Sequence, residues 1–340
     1  MCIRDRYNIY YMLIFIHFKH KDKNKIYYVV IYMPGRESII DTLGKTAQPY
    51  ELMCKKYIDI LMRYTNRNVL VYYSGFLQKP NYVGLSIDDN DKLLFMQAIH
   101  KMDRSLGLDI VLHTPGGSIA ATESLVSYIK SLFGNNFRVI VPQIAMSAGT
   151  MIALASNEII MGKQSNLGPI DPQYAGLSCA AIIEEFKRAS LDVASNPSLA
   201  AVWAPIISKY HPTFLGECEK AISWSEDVVT EWLQGNMFSE REDAKTLANR
   251  VVKHLSSHVK TLSHERHIHI DDIKKLGVNV SQLEGYDNKQ IDDCIDMQDC
   301  IVTLHYIIME TLTNRTQASK IVMSNTSRMT MLTTVATGGR

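Results

Sequence analysis

The sequence predicts an α/β fold with a largely parallel sheet and packed helices, extended by a helical region toward the C-terminus. Three observations lead there. Strand-type and helix-type segments alternate over residues 68–161, the pattern of a parallel sheet covered by helices. The strand segments are short apolar runs of the kind buried on both faces. Residues 178–258 then read mainly as helix.

The elements follow in order. Between Glu51 and Arg63 the residues Leu52, Met53, Tyr57, Ile58, Leu61 and Met62 recur at helical spacing. NVLVYYSG (68–75) is a strand ending in glycine, and SIDDNDKLLFMQAIHKM (86–102) opens with capping-type residues before an amphipathic helix. DIVLH (109–113) is a buried-type strand closed by the turn signal TPGG. SIAATESLVSYIKSLF is a helix, RVIVPQ a strand, SAGTMIALAS a helix and EIIM a further short strand. The helical region includes SCAAIIEEFKRA, SEDVVTEWLQG and SEREDAKTLANRVVKHL. Beyond Asn314 the chain is rich in Ser, Thr and Met without clear periodicity, which predicts a polar tail.

The bulk numbers narrow the function classes. With 340 residues, 46% hydrophobic and 21% charged, the chain resembles an ordinary soluble globular protein long enough for a sizeable core. Its 36 basic and 35 acidic side chains nearly cancel, which argues against nucleic acid as the main partner. Six dispersed cysteines form no CxxC pair, so reduced thiols in a cytoplasm are expected. The apolar stretch YNIYYMLIFIHF is too short for a membrane span of about 20 residues. The opening MCIRDR resembles an adaptor-derived artefact of assembled translations. Translation is therefore expected to start at Met33, with residues 1–32 a non-native or disordered extension without function.

Three motifs could carry chemistry: HTPGGS (113–118), AMSAGT (145–150) and NLGPIDPQ (166–173). Paired glycines after a strand let backbone N–H groups approach a ligand closely, although many α/β turns look alike. Ser147 begins a helix just after a strand, where a serine serves as an N-cap or is presented as a nucleophile. A turn supplying N–H donors beside a junction supplying a hydroxyl is the combination acyl transfer requires.

HTPGGSIAA followed by VPQIAMSAGTMIALASNEIIMGKQSNLGPIDPQ resembles the serine dehydrogenase proteinase family, relatives of signal-peptide peptidase A and of the Clp proteolytic subunit. The resemblance implies a ClpP/crotonase-like fold and a serine peptidase with Ser147 as nucleophile. It implies an oxyanion hole from the N–H groups of Gly117 (or Gly116) and Ala148. The domain expectation becomes a peptidase domain over 33–285 and a C-terminal helix with a polar tail over 286–340. In the Clp-type subunits a histidine lies about one strand and loop beyond the serine, but Asp171 holds that place here, which argues against a Ser–His–Asp triad in that arrangement. A Ser–Lys dyad, as in related signal-peptide peptidases, is expected instead. Lys220 in GECEKAI best resembles the family's lysine-bearing helix, and Lys187 in EEFKRA is the second candidate. Such a lysine needs burial in an apolar site to lose its proton.

The remaining residues carry weaker expectations. His113 precedes TPGG and could adjoin the site, although a strand-end histidine is more often structural. Asp171 could orient a catalytic group or bind peptide backbone, but reads chiefly as part of a rigid turn between prolines. His254 and His258 share a helix face, and His264, His267 and His269 cluster in SHERHIHI, which is expected to be structural. No cysteine or carboxylate completes a zinc set at known spacing, and HExxH, GxxxxGK[ST] and GxGxxG are absent, so no metal or nucleotide is expected. The expected protein is thus a cytoplasmic, homo-oligomeric serine endopeptidase acting on peptide or protein substrates. A catalytically silent scaffold and an acyl-CoA-binding crotonase-type enzyme are the alternatives.

Overall fold

Apolar runs separated by helices build one sheet in the computed structural model, which describes residues 12–14, 29–31, 49–174, 176–257, 263–286, 296–315 and 317–333. β1 (Met12–Ile14) pairs antiparallel with β2 (Val29–Ile31); the rest of the expected extension over 1–32 lies outside the described residues. The central sheet uses β3 (Asn68–Ser74), β4 (Leu108–His113), β5 (Phe137–Val141), β7 (Glu158–Met161), β11 (Val280–Gln282), β12 (Ala318–Ser324) and β13 (Thr330–Thr333). Its order is β11-β7-β5-β4-β3-β12-β13. The strands from β11 to β3 are parallel, whereas β12 runs antiparallel to both β3 and β13. Every residue of β3, β4 and β12 is buried, as expected for strands covered on both faces.

Each face has its own apolar layer. Leu70, Tyr72, Leu108, Ile110 and Leu112 pack under α2 (Asp89–Ile99), α3 (Ile119–Phe133), α4 (Ala148–Leu154), α7 (Phe214–Gly235), α8 (Ala244–Leu255) and α9 (Ile270–Leu276). Val69, Val71, Tyr73 and Val111 pack under α1 (Pro49–Thr65) and α10 (Met297–Asn314). The period of two in each strand produces this division. A smaller cluster of Cys179, Ile182, Phe214 and Cys218 joins α5 (Cys179–Ser195) to the start of α7, with α6 (Ala200–Ile207) between them in sequence. Across the sheet, buried Asp109 receives Arg67 and Arg138, each at 2.7 Å.

The stretch beyond Asn314, expected as a polar tail, instead completes the sheet. β12 has Ile321 and Met323 on the α10 side and Val322 on the other. Its polar residues are buried because each has a specific partner: the Ser324 hydroxyl donates to the Ala98 carbonyl at 2.8 Å, and Lys320 pairs with Asp91 at 2.7 Å. Partners this distant in sequence leave no local periodicity to read. Among the described residues, no helix is long and apolar enough to cross a membrane.

Candidate active site

The three motifs meet beyond the carboxyl ends of β4 and β5, where ligands commonly bind in parallel α/β sheets. After β5 the chain forms β6 (Ile144–Ala145), which pairs in parallel with β8 (Asn166–Leu167) and bridges to Thr114, and further on β9 (Gln173–Tyr174) pairs antiparallel with β10 (Leu177–Ser178). Thr114 exchanges two backbone hydrogen bonds with this segment, to Ile144 and from Met146, both 3.1 Å. The Thr150 hydroxyl donates to the Ala145 carbonyl at 2.8 Å and accepts the Gly168 N–H at 2.9 Å. AMSAGT is thereby bound to TPGG on one side and to LGPIDPQ on the other.

Ser147 sits in the turn between β6 and α4 with φ +50° and ψ −116°. Positive φ is rare for a residue with a side chain and costs of order 1–3 kcal/mol when the surroundings enforce it. The Gly149 N–H to Met146 carbonyl bond at 2.7 Å and the Met151 N–H to Ser147 carbonyl bond at 3.0 Å fix the turn. Ser147 occupies the N-cap position, yet its hydroxyl makes no capping hydrogen bond. Its strained backbone and uncommitted hydroxyl fit presentation rather than capping.

Gly116 and Gly117 are required by close approach. A Cβ on Gly116 would stand 2.7 Å from both the Met146 carbonyl oxygen and the Ser147 Cβ, so only glycine lets this turn lie against the nucleophile. A Cβ on Gly117 would meet the Ile87 backbone at 2.3 Å. The Gly116 N–H is engaged by Thr114 Oγ1 at 3.2 Å. Among the described residues, no hydrogen bond engages the N–H of Gly117 or of Ala148.

Ser147, Gly116 and Gly117 line a cavity of about 420 Å³, with Met151, Trp224 and His264 among its other walls. His264 Nδ1 lies 2.8 Å from Asp171 Oδ1. The Asp171 side chain is only 1% exposed, and its other oxygen has no partner among the described residues. Its loop is pinned on both sides: the Ser225 hydroxyl donates to the Ile170 carbonyl at 2.9 Å, and the Cys179 N–H to the Pro172 carbonyl at 3.0 Å. The His264 segment is docked to the same loop by a reciprocal pair of backbone hydrogen bonds between Leu167 and Ile268, at 3.0 and 2.9 Å. SHERHIHI, expected to be structural, thus carries a site residue that sequence reasoning missed. The available signal was an aspartate held between two prolines without a local partner, together with an imidazole elsewhere in the chain.

The other expected residues lie away from the cavity. Lys220 is 76% exposed on α7 and pairs with Glu217 at 3.2 Å. Lys187 is exposed on α5, and neither lysine lines the cavity. Both occupy solvated helix faces that leave the ammonium hydrated, the opposite of what a lysine base requires. His113, a candidate neighbour of the site, takes the structural alternative: it is buried on the α10 side of β4, because it continues the alternation of Asp109 and Val111. Its ring packs against Tyr73, Phe76 and His305 at centroid distances of 5.1–5.4 Å. Burial, reinforced by His305, pushes the His113 imidazole down to about 3, and burial takes His305 down to about 4. Among the described residues no three His, Cys, Asp or Glu side chains are grouped to hold a metal ion; His258 lies outside them.

Two uncharacterized proteins of Methanocaldococcus jannaschii are 33% and 29% identical to the chain over 206 residues, which is 61% of this chain. The chain spans 62% and 64% of the length of these curated relatives. Among solved structures, a serine-to-alanine mutant of the 1510-N membrane-bound stomatin-specific protease matches at 18% identity with a TM-score of 0.31. That match covers 57% of this chain and 74% of the other. A profile of the ClpP-like SDH-type serine proteinases matches residues 60–287. The chain belongs to the ClpP-like SDH-type serine proteinase family.

Proposed function

We propose that the chain is a serine endopeptidase in which Ser147 is the nucleophile, His264 the general base and Asp171 the group that orients His264. The observation that carries this reading is the 2.8 Å contact between His264 Nδ1 and buried Asp171, at the wall of the cavity that also holds Ser147. A carboxylate on Nδ1 keeps the proton there and leaves Nε2 free to accept one, which is the logic of a Ser–His–Asp triad in any chain order. His264 thus takes the place expected for Lys220 or Lys187.

The steps follow from that assignment. Ser147 Oγ attacks the peptide carbonyl carbon while His264 Nε2 takes its proton, and the carbonyl oxygen becomes an oxyanion. The N–H groups of Gly117 and Ala148 receive that charge; Gly116 is less suited because its N–H already donates to Thr114. The proton on His264 passes to the leaving amine as the C–N bond breaks, giving an acyl-enzyme. Water, deprotonated by His264, then releases the acid and restores the serine. Ile119, Met151 and Ile170 provide apolar wall for a substrate side chain.

The proposal includes a homo-oligomer acting on peptide or protein substrates in the cytoplasm. Exposed Leu191 on α5 and Val202 on α6 are apolar surface that self-association would cover. The chemistry is tested with a fluorophosphonate probe on wild type and on Ser147→Ala, His264→Ala, Lys220→Ala and Lys187→Ala. Labelling is expected to vanish in Ser147→Ala, to fall at least about 100-fold in His264→Ala, and to persist in both lysine variants. Full labelling of His264→Ala with loss in a lysine variant would return the base to lysine.

A further inference from the structure

Lys320 is fully buried in β12, outside the residues matched to the family profile. A buried ammonium is costly unless it is paired and hydrogen-bonded. Its Nζ donates to Asp91 Oδ2 at 2.7 Å and to the Ser86 carbonyl at 2.7 Å, with Asp88 Oδ2 at 3.6 Å. Asp91 Oδ2 also accepts the Asp88 N–H at 2.8 Å, as half of the capping box that opens α2. The segment 86–88 is therefore held at both ends by one buried cation and its counter-ion.

Ile87 lies between those anchors. Its N–H donates to the Gly116 carbonyl at 2.7 Å, and its carbonyl accepts the Ser118 N–H at 2.9 Å. These bonds flank Gly117, whose α-carbon presses so closely on Ile87 that no side chain would fit. The orientation of the Gly117 peptide group is consequently set by the position of Ile87.

We propose that Lys320 is a positioning residue for the oxyanion site: by fixing Ser86, Asp88 and Asp91 it holds Ile87 as a clasp that aims the Gly117 N–H at the adduct on Ser147. The inference rests on the peptidase reading above. Lys320 acts through the backbone, since Ser86 lines the cavity and Lys320 does not. Lysine suits the task because its three donors diverge from a single atom and can serve a carboxylate and a carbonyl together.

The test uses the full chain as wild type, Lys320→Met, Asp91→Asn and the double variant Lys320→Met/Asp91→Asn. Saturation kinetics with a fluorophosphonate separate reversible binding (KI) from phosphonylation of Ser147 (kinact). Amide hydrogen exchange over residues 84–91 and 114–120 reads the clasp without any reaction. In Lys320→Met and in the double variant, kinact is expected to fall about 10–100-fold, with KI within about threefold of wild type. Exchange at 86–88 and 116–118 should rise at least about tenfold in the same variants. The double variant buries no unpaired charge, so its thermal stability should recover while kinact stays low. Recovery of kinact together with stability would reduce Lys320 to a structural role and overturn the proposal. Unchanged protection at 116–118 would overturn it as well. Absence of Ser147 labelling in wild type would sink the peptidase reading alone, leaving exchange to judge the clasp.

Discussion

Replacing Asp171 by asparagine probes the proposed base directly. The carboxylate is buried and 2.8 Å from His264 Nδ1, and the His264 side chain is itself only 18% exposed. As Ser147 loses its proton, His264 becomes an imidazolium beside this carboxylate. With charge centres about 4 Å apart and an effective dielectric constant of about 20, their attraction is about 4 kcal/mol. At about 1.4 kcal/mol per decade, its loss slows acylation roughly 1,000-fold. The asparagine amide can also favour the wrong tautomer, and in the Ser–His–Asp template that exchange costs about 10⁴ in kcat. The assay is the second-order rate of fluorophosphonate labelling of Ser147, with thermal unfolding as the control for folding. Asp171→Asn should fall between these limits while Lys220→Ala stays within about threefold of wild type. A folded Asp171→Asn variant that retains more than about one-fifth of the wild-type rate would refute the argument.

Two further predictions concern stability. His113 and His305 have native pKa values below their unfolded values, so the unfolded state binds more protons. Their contribution is complete above about pH 6.5 and is lost as the pH falls toward about 4 for His305 and about 3 for His113, at up to about 1.4 kcal/mol per pH unit for each histidine. Urea unfolding of wild type and of His113→Phe across this range should show a shallower acid slope in the variant; parallel slopes would count against it. Asp109→Asn removes the charge shared by Arg67 and Arg138 and should cost about 3 kcal/mol in urea unfolding. A loss below about 1 kcal/mol would show that solvent already screens the pair.

The legible parts of this protein were those whose causes are local. The strands β3, β4, β5 and β7 are legible because both faces of the sheet are covered, which enforces apolar runs such as VLVYY and VIV. Ser147 and Gly116–Gly117 were legible because a tight turn and a close approach need particular residues at fixed offsets. β12 was not, because Lys320 and Ser324 are neutralised by partners more than 200 residues away. His264 was obscured for the same reason: its partner Asp171 lies 93 residues earlier. Lys220 lies in a segment that resembles the family's lysine-bearing helix, whereas only the packing of α5 and α7 decides which faces Lys187 and Lys220 present. His113 illustrates a further limit, since adjacency to TPGG in sequence says nothing about which side of β4 its ring occupies.

The antiparallel seating of β12 against β3 has a consequence during synthesis. Tyr72 pairs with Val322, so β3 stays an open edge until some 250 further residues have been added, about 12–50 s at ribosomal rates of about 5–20 residues per second. Throughout that interval an uncharged, β-prone run, VLVYY, offers unpaired backbone groups to any neighbouring chain. The late arrival of Ala318–Ser324 seals that edge, which makes this strand the natural place to look when expression ends in aggregation.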